Sequence, residues 1–237
     1  MKILAIEASS LVASGAILQD DIITAEYTIN HKVTHSQTLL PMIDEICKRT
    51  DTRPEEFDAI AVAAGPGSFT GLRIGCATAK GLGLALDIPI IHVPTLEAMA
   101  YNMYGSSFVV CPIMDARRSQ VYTGAFEYAD GEILPIIEDC AIGIDELVSK
   151  LNGLGRRVFF IGDGIPVNAD YIRENAFFEY EFAPAHLNRQ RAGSVAALGA
   201  RMFLKGKIET AAEHLPDYFR VSQAERELKE KQEKNEQ

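Results

Sequence analysis

Two carboxylates stand where buried strands are expected to end, at Glu7 and at Asp115, and each precedes a tight turn. A carboxylate in this position can hold Mg²⁺ through water, while backbone N–H groups of the turn, which includes Ser9 in the first case, bind phosphate. The pair predicts a nucleotide cleft suited to phosphoryl transfer. The competing interpretation is that each acid is only a turn residue, because residues 11–13 are apolar and offer no basic side chain to a γ-phosphate.

A glycine-rich turn between a strand and a helix offers a second possible anion site. It reads GPGSFTG at residues 65–71, and its N–H groups at a helix N-terminus could bind phosphate. The turn lacks the Gly-Lys-Ser/Thr ending of a P-loop, and its spacing is not that of a dinucleotide-binding turn. The competing interpretation is packing, because small residues recur at every fourth position and permit close approach by a helix or a sheet. The candidate phosphate-site residues here are Gly65, Gly67, Ser68, Thr70 and Gly71; the small residues are Gly71, Gly75, Ala79 and Gly83.

Two histidines, His31 and His35, have the spacing of metal ligands on one helix face. The residues between them are Lys-Val-Thr, without the glutamate that a metalloprotease uses as a base. We therefore assign them to a loop and the first turn of a helix with Thr34 as its N-cap. The serines lack a G-x-S-x-G elbow, and no cysteine has an evident local base. No metal site and no catalytic nucleophile is expected.

Hydrophobic patterning predicts the elements that would position these residues. Thr34 and Gln37 resemble a capping box before a helix that contains Pro41, which is expected to kink it. The first half is expected to contain, in order, strands at 3–6, 13–18 and 22–29, this first helix, a strand at 59–63, a helix to about residue 86, a strand at 88–93 and a helix at 95–104. Three antiparallel strands followed by alternating helices and strands predict a mixed sheet with helices on its faces.

This beginning recurs weakly about one hundred residues later, which suggests an internal repeat. The matched features are Glu7-Ala8 with Asp115-Ala116, Gly15-Ala16 with Gly124-Ala125, and Asp20-Asp21 with Asp130-Gly131. A helix at 145–151, a strand at 157–161 and a helix at 194–204 are expected to continue the second half. Duplication of a strand-hairpin unit explains the matches, and chance agreement of small residues is the alternative.

Composition narrows the class of protein. The 237 residues are 47% hydrophobic and carry a formal charge of -10, so unaided binding to nucleic acid or to an anionic membrane is not expected. Four scattered cysteines favour a reducing cytoplasm. The apolar run at residues 3–6 is too short for a signal peptide, and no stretch is long enough to span a membrane.

Several segments together resemble the TsaB (YeaZ) family, and the match runs in order from Met1 to Arg220. They are ILAIEAS at 3–9, HSQTLLP at 35–41, GPGSFTGLRIG at 65–75 with ATAKG at 77–81, DARR at 115–118, GDG at 162–164 and PDYFR at 216–220. Of these, GPGSFTGLRIG is close to diagnostic. Only the charged tail lies outside the resemblance.

The resemblance implies an α/β fold of two RNase H-like lobes, as in actin-like ATPases and sugar kinases, with mixed sheets flanked by helices. We expect an N-terminal lobe at 1–104, a C-terminal lobe at 105–205 and a C-terminal segment at 206–237, helical against the N-terminal lobe and then a charged tail from Ser222 to Gln237. The implied function is a non-catalytic scaffold and dimerisation subunit in the synthesis of N6-threonylcarbamoyladenosine (t6A) at position 37 of tRNA. TsaD, the main partner, transfers the threonylcarbamoyl group, and TsaE is an ATPase in the ternary complex.

Differences between this sequence and those of catalytic relatives also indicate a non-catalytic role. TsaD-like proteins carry an H-x-x-x-H metal motif just after the strand corresponding to 88–93, where this chain has PTLEA. Ala8 stands where the family usually has Thr, so the candidate phosphate site is expected to be vestigial. No cofactor of its own is expected, weak ATP–Mg²⁺ binding stays open, and ATP is used by the partners. An ATP-dependent small-molecule phosphotransferase and a glycoprotease-like metallopeptidase are the alternatives on the same fold.

An association surface is expected on the first two long helices, because each has more apolar positions than one core-facing stripe requires. It would serve TsaD and, when the chain is alone, a homodimer; tRNA would bind only through the complex. The expected interface residues are Leu39, Leu40, Ile43, Ile46, Leu72, Ile74, Gly75 and Ala79.

Overall fold

The computed structural model describes residues 1–32 and 34–220, which form two five-stranded sheets with helices on their faces. The first sheet has the order β3-β2-β1-β4-β5, in which only β2 runs antiparallel to the other strands. Its elements are β1 (Lys2–Glu7), β2 (Val12–Gln19), β3 (Ile22–Asn30), α1 (His35–Arg49), β4 (Ala59–Gly65), α2 (Phe69–Leu86), β5 (Ile90–Pro94) and α3 (Thr95–Ala100).

The second sheet repeats this topology strand for strand. Its order is β10-β9-β6-β7-β8, with β7 antiparallel to the others, so β6 corresponds to β1 and β9 to β4. Its elements are β6 (Val109–Asp115), β7 (Gln120–Ala129), β8 (Glu132–Gly143), α4 (Ile144–Leu154), β9 (Val158–Ile161), α5 (Ile165–Asn175), β10 (Tyr180–Phe182) and α6 (Ala192–Leu204). The expected fold class, two RNase H-like lobes, is confirmed. Two equal topologies also favour duplication over chance for the sequence repeat.

The helices cover the sheets because alternate strand residues point to opposite faces. On one face of the first sheet, α1 and α2 pack over Leu4, Ile6 and Ile17. On the other face α6 packs over Ile3 and Ala5. Around the second sheet, α4 and α5 form one core cluster and α3 contributes to another, which places α3 between the two sheets.

Helix ends follow local chemistry. Ser68 is the N-cap of α2, and its Oγ accepts a hydrogen bond from the N–H of Gly71 at 3.3 Å. Thr34 is the N-cap of α1, but its side chain makes no capping bond, so the expected capping box with Gln37 is wrong. The N–H of Gln37 donates instead to the backbone oxygen of Thr34 at 2.9 Å. Among residues 1–32 and 34–220, none of the helices has the length and apolar character to cross a membrane.

The C-terminal part of the chain returns to the first sheet. Helix α6, which we assigned to the C-terminal lobe, packs on the first sheet, where its small residues allow a close fit: a Cβ at Gly199 would stand 2.8 Å from the Cβ of Ala61 on β4. The expected boundary at 205 therefore does not follow the packing. Residues 206–220 also return to the first lobe, with Arg220 reaching Ala116 of the second, but they contain turns and one bridge to β5 rather than the expected helix. The charged tail, Ser222 to Gln237, lies outside the described residues.

Candidate functional site

Glu7, at the end of β1, is buried to 1% exposure between the two lobes. Its Oε1 accepts a hydrogen bond from the N–H of Ser9 at 2.6 Å. Its Oε2 and the Oγ of Ser9 have no hydrogen-bond partner in the described part of the chain. Burial raises the pKa of the Glu7 carboxyl to about 7, since the charged form loses its hydration.

Asp115 occupies the equivalent position at the end of β6. Its Oδ1 accepts a hydrogen bond from the N–H of Arg117 at 2.7 Å, so the same two-residue turn closes after the first strand of each lobe. Unlike Glu7, Asp115 is exposed, and it borders an open pocket of about 470 Å³ together with Asn168 and Tyr171. The two sequence-matched carboxylates therefore have opposite environments.

A third carboxylate, Asp163, lies between the two lobes and was not among the predicted site residues. Burial raises its pKa, a shift opposed by Arg189 and assisted by the negative charge of Asp115. The Asp163 charge in turn contributes to the raised pKa of Glu7. The motif GDG at 162–164 was its sequence signal, because it follows β9 as the glycine-rich turn follows β4.

The glycine-rich turn is packed against the protein's own backbone. A Cβ at Gly67 would stand 2.3 Å from the oxygen of Ser9, and a Cβ at Gly71 would stand 2.0 Å from the oxygen of Ala8. The N–H of Ser68 donates to the Ser9 oxygen at 2.6 Å. These glycines are needed for close contact with the turn after β1.

Two further N–H groups of the turn donate to acceptors within the protein. The N–H of Gly65 donates to Oγ1 of Thr95 at 3.1 Å, and that of Gly71 to Ser68 Oγ. Thr70 is exposed at the start of α2. With the oxygens of Ser9 and Ala8 packed against Gly67 and Gly71, and with the nearest carboxylate, Glu7, buried, the arrangement does not fit a phosphate held by hydrated Mg²⁺. The packing interpretation of this turn therefore accounts for its geometry.

The expected association surface lies mostly inside the protein. Six of its eight residues are buried: Leu39, Ile43, Ile46, Leu72, Gly75 and Ala79. Gly75 faces the first sheet, where a Cβ would stand 3.4 Å from the Cβ of Ala8. Ile74 is half-buried and packs on the same core, whereas Leu40 is 52% exposed. The small-residue ridge of α2 therefore packs on the sheet, and its assignment to an external surface was wrong.

The two histidines of the H-x-x-x-H pair lie in different environments. His35 is buried, with its Nε2 2.8 Å from the backbone oxygen of Ser10, while His31 is exposed. A different group of possible ligands does come together, from His92, Glu209 and His214. It joins β5 to the C-terminal segment, so local spacing in the sequence could not have revealed it.

Comparison with known proteins gives the family. A domain family described as TsaD, tRNA N6-adenosine threonylcarbamoyltransferase, matches residues 23–228. The protein named tRNA threonylcarbamoyladenosine biosynthesis protein TsaB from Bacillus subtilis is 34% identical over 95% of this chain and 96% of its own length. The protein of the same name from Escherichia coli is 30% identical over 96% of this chain and 98% of its own length. The chain belongs to the TsaB family.

Solved structures agree with the TsaB assignment. YeaZ from Pseudomonas aeruginosa superposes with a TM-score of 0.75 at 25% identity, covering 92% of this chain and 99% of that one. A protein from the same organism, described as similar to peptidase YeaZ, gives a TM-score of 0.78 at the same identity and coverage. The TsaB resemblance seen in the sequence motifs is thereby confirmed, with both lobes included.

Proposed function

We propose that this chain is a non-catalytic scaffold subunit of the complex that transfers a threonylcarbamoyl group to N6 of adenosine 37 in tRNA. Its full-length relatives are named for threonylcarbamoyladenosine biosynthesis, and its domain family is described as the transferase. TsaD is its main partner and TsaE joins the ternary complex. The chain works in the cytoplasm, where tRNA modification takes place.

The observation that carries the non-catalytic assignment is the occupied glycine-rich turn. The space that a phosphate would need beside residues 65–71 is taken by the backbone oxygens of Ala8 and Ser9, and Glu7 is buried rather than open to hydrated Mg²⁺. A phosphotransferase requires donors aimed at the transferring group. The N–H groups of Gly65, Ser68 and Gly71 donate to internal acceptors instead, which favours a binding role for the fold.

The surface available for association is the solvent face of α1 and α2, which lie side by side on the first sheet. Leu40 on α1 is 52% exposed and Leu84 on α2 is 66% exposed. Between Arg73 and Leu84, α2 presents the exposed small residues Ala77 and Gly81. Apart from the adjacent residues and backbone of the same helix, no atom of the described residues lies within 4 Å of a Cβ built at Gly81. Small residues beside exposed leucines permit another helix to approach closely.

This surface, defined by Leu40, Ala77, Gly81 and Leu84, would bind TsaD, and in isolation it would pair with itself about a two-fold axis. Because the homodimer and the TsaD complex would use the same surface, we expect them to compete. The formal charge of -10 opposes direct contact with a phosphate backbone, so tRNA is expected to bind only to the assembled complex.

Reconstitution tests the proposal. Purified TsaD and TsaE of the same cell, with tRNA, the enzyme that makes threonylcarbamoyl-adenylate, ATP and labelled threonine, should incorporate label only when this chain is added. The chain alone should neither modify tRNA nor turn over ATP. Label incorporation that is independent of this chain would contradict the scaffold role. ATP turnover that survives repurification and is lost in Glu7→Ala would instead favour the phosphotransferase alternative.

A further inference from the structure

The C-terminal segment is joined to β5 by a group of side chains that the proposed scaffold function does not use. The N–H of Ile90 donates to the oxygen of Glu209 at 2.9 Å, and the N–H of Glu209 donates back to the oxygen of Ile90 at 2.9 Å. This pair sets Glu209 beside His92, two residues further along β5. The turn that follows then brings His214 to the same place.

The three side chains converge on one point. Oε1 of Glu209 lies 3.6 Å from Nδ1 of His92 and 2.5 Å from Nδ1 of His214. One ligand atom from each residue lies within 4.8 Å of the other two. In a tetrahedral zinc site, bonds of about 2.0–2.2 Å place the donor atoms about 3.3 Å apart. Side-chain shifts of about 1 Å would thus bring all three atoms to bonding distance of one ion.

The surroundings of His92 are those of a metal-binding imidazole. Its Nε2 lies 2.9 Å from Oδ2 of Asp217, so the ring donates its Nε2–H to that carboxylate. The Nδ1 lone pair then faces Glu209 and His214. A carboxylate behind a ligating histidine fixes the ring and strengthens it as a ligand. This contact needs no metal to form, but it leaves the ring oriented for one.

His214 is the buried member of the group. It is completely buried, and its Nε2 has no hydrogen-bond partner among residues 1–32 and 34–220. Its position is held by Lys80, whose Nζ donates to the backbone oxygens of His214 at 2.8 Å and Ala212 at 3.0 Å. The ring directs its Nδ1 to Glu209, which positions that nitrogen as a ligand.

We propose that His92, Glu209 and His214 bind one Zn²⁺ ion that fastens the C-terminal segment to β5. Two imidazoles and one carboxylate form a ligand set that zinc sites use, with water in the fourth position. The negative charges of Glu209 and Asp217 balance the positive charge of the ion, which the nearby Lys80 ammonium would otherwise repel. The proposal departs from the expectation of no metal, which considered only ligands close together in the sequence.

The fastened segment contacts both lobes. Beyond the site, the N–H of Asp217 donates to the oxygen of Ala64 at 2.7 Å, and the guanidinium of Arg220 donates to the oxygen of Ala116 at 2.6 Å. The Tyr218 ring also stacks on Phe69 at the start of α2, with centroids 4.7 Å apart. Zn²⁺ bound at this site would therefore hold in place the C-terminal segment, which contacts both α2 and the second lobe.

Calorimetric titration of the chelator-treated full chain with ZnCl₂ tests the site. We expect one Zn²⁺ per chain and a higher unfolding temperature in its presence. His92→Gln and Glu209→Gln should each weaken binding at least tenfold, and Asp217→Asn by about 10–100-fold. His31→Gln and His186→Gln, which change exposed histidines, are the matched controls and should leave binding unchanged.

A spectroscopic measurement separates a built site from surface binding. Co²⁺ in place of Zn²⁺ should give the visible absorption bands of a four-coordinate ion in the parent and lose them in His92→Gln. Because His92 is partly exposed, that variant should fold, as circular dichroism will check. Parent affinity for Zn²⁺ equal to that of folded His92→Gln, or lost in the His31 or His186 controls, would overturn the proposal. Neither result would affect the scaffold function.

Discussion

Replacing Glu7 with glutamine tests how strongly the cleft between the lobes opposes a charge. In the parent, Oε1 of Glu7 accepts a hydrogen bond from the N–H of Ser9 at 2.6 Å. The glutamine amide keeps the shape of the side chain and an oxygen that can accept this bond, but it cannot ionise. The substitution therefore isolates the cost of the buried carboxylate. In the parent chain that cost appears only where the carboxyl ionises.

The sign and magnitude follow from the pKa. Burial raises the pKa of Glu7 from 4.5 to about 7 in the folded protein. Below pH 4.5 the carboxyl is protonated in both states, and between 4.5 and 7 the folded state holds more protons than the unfolded state. Stability contributed by this group is therefore lost as pH rises through that interval and levels off above about 7. At 1.36 kcal/mol per pKa unit the loss amounts to about 3 kcal/mol.

We would measure urea unfolding of the parent and of Glu7→Gln at a series of pH values from 4.5 to 8. The contributions of the other titrating groups cancel in the difference between the two unfolding free energies. Glu7→Gln should gain about 3 kcal/mol relative to the parent across this range. The matched control is Asp115→Asn, because Asp115 forms the same turn in the second lobe but carries no burial penalty. A difference between Glu7→Gln and parent that stays constant from pH 4.5 to 8 would refute this account of the cleft.

Three further predictions concern packing, capping and electrostatics. Gly71→Ala should lower the unfolding free energy by about 1–3 kcal/mol in urea titrations, because its Cβ would collide with the Ala8 oxygen, whereas Gly81→Ala in open space should raise it by up to about 1 kcal/mol. Ser68→Ala should cost about 1 kcal/mol in the same assay, since α2 loses its N-cap, and a cost near zero would contradict the capping role. In gel shifts at physiological salt the isolated chain should leave tRNA unshifted, and sub-micromolar, salt-sensitive binding would contradict that expectation.

The sequence predicted what depends on neighbouring residues. Apolar runs predicted the five strands of the first sheet and β6 and β9 of the second, and the paired turns at Glu7 and Asp115 indicated the duplication, whereas β8 and β10 were given no predicted range. Helix α5 was missed because Ile165–Asn175 has a weak apolar stripe, with only Asn168, Ala169 and Ile172 buried. The periodic spacing of hydrophobic residues is the main local signal of secondary structure, so elements with a clear pattern were predicted and α5, with a weak one, was not.

Features that depend on distant contacts were not predictable. Small residues in α2 indicated close packing, but only the fold shows that the partner is the protein's own sheet at Ala8 and Val62. The return of α6 to the first sheet carries no local signal either. His92 meets Glu209 and His214 only because the C-terminal segment pairs with β5. The different burial of Glu7 and Asp115 likewise has no signal in the neighbouring residues.

The central claim is that this chain acts by binding TsaD through the solvent face of α1 and α2. Light scattering of an equimolar mixture of the chain and TsaD, after size-exclusion chromatography, measures that most directly. The parent should elute with TsaD, and so should the control Val167→Glu, which changes an exposed residue of α5. The double variant Leu40→Glu/Leu84→Glu should elute apart from TsaD while keeping the circular dichroism spectrum of the parent. A folded double variant that binds TsaD as tightly as the parent would contradict the account.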